Sequence, residues 1–183
     1  MVSSNVTNIE ERNTVSSLYV SEPPTAKAII RAGLIGGLVG GVTIWIYEAV
    51  VWVGAQHLMP LSGIPPNATG LVFGKPFQQA IGGWAYLLGT SIHFGFALGW
   101  GVLFALMWPR LRRLGYEATF VALFYAAVAW IVMHVAISIA SNDHPNYHDP
   151  VVIIGGMMSH IFFAVPMALV VKRLLRPALD SAG

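Results

Sequence analysis

The chain contains no cysteine. That excludes disulfides, Cys-ligated zinc and iron–sulfur sites, and covalent c-type haem attachment through C-x-x-C-H. Charge is scarce as well. Of 183 residues, 10% are Asp, Glu, Lys or Arg and 56% are hydrophobic. A soluble domain carries about 25% charged residues. Too few are present to cover a water-facing surface, so lipid is the expected main solvent. No G-x-S-x-G, H-E-x-x-H, phosphate-loop or dinucleotide fingerprint occurs, which weighs against an enzyme. The net charge of +2 does not point to nucleic acid, because the basic residues sit at the ends of apolar runs.

What is present is four such runs, at about 26–54, 81–108, 117–140 and 151–171. The expected fold is all-α: an integral-membrane four-helix bundle over 26–176, with polar tails at 1–25 and 177–183. The first 25 residues have no apolar signal-peptide core and read as a flexible tail. Arg12, Lys27, Arg31, Arg110, Arg112, Arg113, Lys172, Arg173 and Arg176 all fall on one side of a four-span layout, and only Lys75 on the other. The positive-inside rule then puts both termini in the cytoplasm, in a bacterial inner membrane. Short connections make spans two, three and four successive antiparallel neighbours.

The first span carries Gly33, Gly37 and Gly41 at four-residue spacing. Small residues on one helix face let two backbones approach in lipid, within the chain or across a homo-oligomer or a larger membrane complex. The connection 55–80 holds Pro60, Pro65, Pro66 and Pro76. It is long enough to lie along the membrane surface or cap the bundle mouth. Trp45, Trp52, Trp84 and Trp108 lie towards span ends, where indoles anchor at the interface.

Each span supplies one titratable group: Glu48, His93, His134 and His160. Such groups are costly in a bilayer and face the bundle interior. At about 1.5 Å per residue, Glu48 and His134 fall at an upper level and His93 and His160 nearer mid-membrane. Gly89 and Ala97 flank His93, and Gly156 and Ala164 flank His160, each four residues away. Each deep imidazole thus stands in a notch with room beside the ring.

Four readings fit. The imidazoles hydrogen-bond across the bundle to hydroxyls such as Ser91, Tyr125, Ser138 or Ser159 and glue the helices. His93 and His160 hold a b-type haem. His93, His134 and His160, with Glu48, hold a divalent metal. Or the set relays protons, since His titrates near neutral pH. The turn 141–150, with Asp143, His144, His148 and Asp149, reads as solvated, with capture of a divalent cation as its rival.

Three stretches carry a family resemblance. His93 opens an aliphatic and aromatic run ending at Trp108-Pro109-Arg110. Met133-His134 falls late in the third span. Ser159-His160 leads to an exit through Lys172-Arg173-Leu174-Leu175-Arg176. Over Gly82 to Arg176 the chain resembles the YagU-like family of bacterial inner-membrane proteins. The resemblance implies an association with acid tolerance and a shared pattern of three membrane histidines. It supplies no catalytic residues. The expectation is a non-enzymatic inner-membrane protein whose buried His/Glu column handles protons or holds a ligand in acid or stress response. The alternatives are a haem b-binding or accessory subunit of a larger membrane redox complex, and a metal-dependent membrane enzyme.

Overall fold

A computed structural model describes residues 24–141, 146 and 148–180, with side chains for all but the last three of these. Every regular element among them is helical. Helix α1 (Ala26–Tyr47) starts behind Thr25, whose Oγ1 accepts a hydrogen bond from the Ala28 N–H at 3.2 Å. It runs without a break into a π-helical segment, Glu48–Ala55. The chain leaves that segment through His57, a non-glycine residue at φ 52. The connection that follows is not an open loop. It folds into α2 (Ile64–Phe73) and α3 (Lys75–Ala80). Pro65 and Pro66 sit in the first turn of α2, where a missing N–H leaves no helical bond unmade.

Three long helices complete the chain: α4 (Trp84–Arg113), α5 (Ala118–Ala140) and α6 (Pro150–Asp180). Pro109 does not end α4, which continues to Arg113. Proline is tolerated inside spans where neighbouring groups satisfy the freed carbonyl. Helix α5 is capped by Glu117, whose Oε2 accepts from the Ala118 N–H at 3.1 Å. Helix α6 is capped by Asp149, whose Oδ1 accepts from the Val151 N–H at 2.9 Å, with Pro150 preset for the first helical position.

Four helices are long and apolar enough to cross a membrane: Ala26–Ala55, Trp84–Arg113, Ala118–Ala140 and Pro150–Pro177. Their outer faces stay apolar. Leu38 is 50% exposed, Phe124 71% and Ile139 82%, which only acyl chains cover without penalty. The chain is therefore a multi-pass membrane protein by its fold.

Helix α1 is the centre of the bundle. Its two glycine faces meet different partners. A Cβ on Gly37 would overlap the Ala97 carbonyl of α4, and one on Gly101 would overlap the Gly33 carbonyl. A Cβ on Gly40 would come within 2.7 Å of the Phe163 ring on α6. The small-residue face at Gly33, Gly37 and Gly41 is thus filled by the same chain. The expected succession of neighbours changes in consequence. Although only residues 114–117 separate them, α4 and α5 touch little. The order around the bundle is α4, α1, α6, α5, with the Tyr125 hydroxyl donating to the Trp100 carbonyl at 2.7 Å across the gap.

The two ends of the bundle differ. Towards Arg110–Arg113 and Lys172 it is solid: Phe104, Trp108, Met167, Val171 and Leu175 are fully buried. Trp108 stacks on Phe104 with centroids 6.1 Å apart, so it is a core residue and not an interface anchor. At the surface of this end Lys172 Nζ donates to both Glu117 carboxylate oxygens, at 2.9 and 3.1 Å. That hydrogen bond and ammonium charge hold the Glu117 carboxyl below the usual carboxylate range. The other end is hollow and is covered by α2. There Gly89 gives α2 its seat: a Cβ on it would overlap the Pro65 carbonyl. Thr69, fully buried, donates to the Ala85 carbonyl at 2.9 Å and ties α2 to α4.

Candidate functional site

The hollow end encloses a cavity of about 190 Å³. All four spans and α2 contribute to its wall. Glu48 comes from the π-helical segment that continues α1, His93 from α4, His134 from α5, His160 from α6 and Asn67 from α2. Apart from Ser159, the rest of the wall is apolar or aromatic, including Trp45, Trp52, Trp100 and Phe163. Among the described residues no Lys or Arg lines it.

Glu48 is the first residue of the π-helical segment and is 9% exposed. A π turn closes over five residues, as in Gln56 N–H to Val51 C=O at 2.8 Å. It widens the helix and turns the following side chains relative to an α-helix, and such segments recur at functional sites. Among the described residues the Glu48 carboxyl makes no hydrogen bond and no ion pair.

His93 is held differently. Its Nε2–H donates to the Gly41 carbonyl of α1 at 2.9 Å. Its ring stacks on Trp45, centroids 5.0 Å apart at 28°, with Phe94 edge-on. The notch at Gly89 leaves no room beside the ring for a macrocycle, because α2 fills it. The haem pair His93 and His160 therefore does not suit this arrangement: the nitrogen that would face an iron is committed to a backbone carbonyl. The interhelical glue is real at His93, but its acceptor is that carbonyl and not a hydroxyl. Ser91 and Ser138 bond to carbonyls of their own helices.

His134 and His160 are neighbours, with ring centroids 5.9 Å apart. Each donates Nδ1–H to the carbonyl one turn back: His134 to Trp130 at 2.6 Å and His160 to Gly156 at 2.8 Å. A carbonyl can only accept, so in the neutral rings Nε2 carries the lone pair. The notch at Gly156 is occupied by the Trp130 indole and the His134 ring, whose Nε2 lies 3.7 Å from where a Cβ would stand. Ser159, also buried, donates to the Gly156 carbonyl at 2.7 Å. His160 thus pairs with His134, and His93 packs against α1.

The metal set of His93, His134, His160 and Glu48 is not drawn together. Among the described residues no three His, Asp or Glu side chains are placed to hold one metal ion. The reason is local, since each imidazole is turned by its own backbone hydrogen bond. In the turn 141–150 His148 is exposed, and Asn146 Oδ1 accepts from its backbone N–H at 3.0 Å. Asp143 and His144 lie outside the described residues.

Sequence reasoning missed several wall residues. Trp45 and Trp52 line the cavity instead of facing outward, whereas Trp84 is 71% exposed. Nothing in the sequence marks Trp100 as a wall residue, and Asn67 stands out only as the start of an Asn-Ala-Thr sequon. A hint was available for α2, since paired prolines suit the first turn of a helix as well as a loop. Nothing local announced the π-helical segment. Comparison with protein-family models, curated proteins and solved structures gives no match to this chain.

Proposed function

We propose that this chain is a bacterial inner-membrane protein that takes up and passes protons through the cavity between its spans, with both termini cytoplasmic. One observation carries the reading. Glu48, a buried carboxyl without a partner among the described residues, lines the same cavity as imidazoles from the three other spans. Ionisable groups that face a bundle interior or a watery cavity mark proton pathways and ligand sites. Imidazole is the side chain whose ordinary titration falls near neutral pH. Because the His134 and His160 Nδ1–H groups stay on their carbonyls, Nε2 is the atom that accepts and returns a proton. Each ring then acts as a store for one proton beside Glu48. His93, bonded to Gly41, positions α4 against α1.

The distribution of basic residues supports the orientation. The resemblance of Gly82–Arg176 to the YagU-like family, with its association with acid tolerance, supports a role under acid stress. The test is proton flux into liposomes containing the purified protein, driven by a potassium diffusion potential and read with an internal pH dye. Wild-type protein should accelerate flux over empty liposomes, and Glu48→Gln should remove at least nine-tenths of that acceleration. A flux indifferent to Glu48→Gln would refute the proposal.

A further inference from the structure

The cavity wall has a chemical bias that proton transfer alone does not use. Its one acidic group is Glu48; the imidazoles of His93, His134 and His160 are its only groups that can turn positive, and no permanently charged Lys or Arg among the described residues faces it. An anion would find no fixed counter-charge there. A metal cation would find no set of three His, Asp or Glu side chains among the described residues placed to hold it. Calcium and magnesium need cages of about six or more oxygens, and the wall offers mostly carbon. Trp52, Trp100 and Phe163 give it aromatic character. Aromatic faces attract organic cations, and quaternary ammonium groups are their best-attested guests. The volume, about 190 Å³, is below the roughly 300–1,000 Å³ of sites for drug-sized ligands, so the guest is small.

We infer that the cavity is a binding site for a small free organic ammonium ion, its positive charge at Glu48 and its alkyl groups against the aromatic wall. The inference rests on the reading above in one respect: a proton and the ammonium ion would share the Glu48 carboxyl. The two would then exclude each other, and the site would exchange one for the other. Asn67, on α2, and Ser159, on α6, are the neutral hydrogen-bonding side chains of the wall that a hydroxyl or amide on the guest would meet.

The test is isothermal titration calorimetry at one fixed pH on the full chain in maltoside micelles. Choline is the probe, and 3,3-dimethyl-1-butanol, the same shape without the charge, is the comparison. Saturable choline binding at least tenfold tighter than the butanol is expected. Glu48→Gln should weaken choline by at least tenfold and leave the butanol unchanged. Equal affinity for the two probes in wild-type protein would overturn the inference, and that arm needs no variant to fold. Glycerophosphocholine should bind more weakly than choline, because its phosphate finds no Lys or Arg in the wall and lies near the Glu48 carboxylate. Tighter binding of it would assign the site to a lipid headgroup and overturn the free amine. Proton flux that depends on Glu48, with no choline binding, would sink this inference and leave the proposed function standing. Choline binding without flux would do the reverse.

Discussion

Replacing Gly37 by alanine should drive α1 and α4 apart. The new methyl would overlap the Ala97 carbonyl and come to 2.8 Å from Leu98 Cα. Carbon atoms rest at about 3.5–4.0 Å, so the helices must part by about 1 Å. Both obstacles are backbone atoms and cannot rotate aside. The same movement stretches the His93 Nε2–H bond to the Gly41 carbonyl, now 2.9 Å, past its useful range. Overpacking of this kind costs about 1–3 kcal/mol. An interhelical hydrogen bond in a membrane protein is worth about 0.6–1.7 kcal/mol. Alanine's better helix propensity offsets about 1 kcal/mol. The net loss should be about 1–3 kcal/mol, taking the middle of the overpacking range. Equilibrium unfolding in mixed micelles at increasing dodecyl sulfate fraction measures it. Gly99→Ala on α4 is the control, because nothing lies within 4 Å of the added Cβ; it should be neutral or stabilising by up to about 1 kcal/mol. Equal effects of the two substitutions would refute the packing argument.

Gly89→Leu should unseat α2 from α4 and break the Thr69–Ala85 bond, with a loss of about 1–3 kcal/mol in the same unfolding assay and faster amide exchange confined to 64–80. His93→Phe keeps the ring and removes the donor to Gly41, so it should cost about 0.6–1.7 kcal/mol while leaving more than half of the Glu48-dependent proton flux. Glu117 should titrate below an ordinary glutamate in carbon-13 NMR, and Lys172→Met should return it to the usual range. Its depressed value means that its stabilising contribution is present above the unfolded-state pKa and disappears as pH falls through the folded one. Glu117→Gln should therefore flatten the acid limb of the stability profile.

The all-helical character and the four membrane-length helices were legible because charge is confined to the ends of the apolar runs, as at Arg110–Arg113 and Lys172–Arg176. Glu48, His93, His134 and His160 could be picked out because a lone polar group in a span is costly unless it is turned inward. Their partners could not be read. Four-residue spacing reveals that Gly89 and Gly156 make notches but not what enters them, and the occupants, α2 and the Trp130–His134 pair, come from distant parts of the chain. The neighbour order misled for a similar reason. A short connection suggests contact between α4 and α5, yet the two glycine faces of α1 draw α4 and α6 to itself. Which nitrogen of each imidazole is committed depends on a carbonyl one turn back or on another helix, and no residue pattern encodes that choice.

Proton uptake at Glu48 requires that it face, from within a membrane span, a cavity that water reaches. The chain has no cysteine, so a single Glu48→Cys substitution gives an unambiguous reporter in liposomes or cells. Its reaction rate with a small cationic methanethiosulfonate reagent should exceed those of Leu38→Cys and Ile46→Cys, on the exposed face of the same helix, by at least tenfold. A Glu48→Cys thiol as inert as those two lipid-facing positions would contradict it.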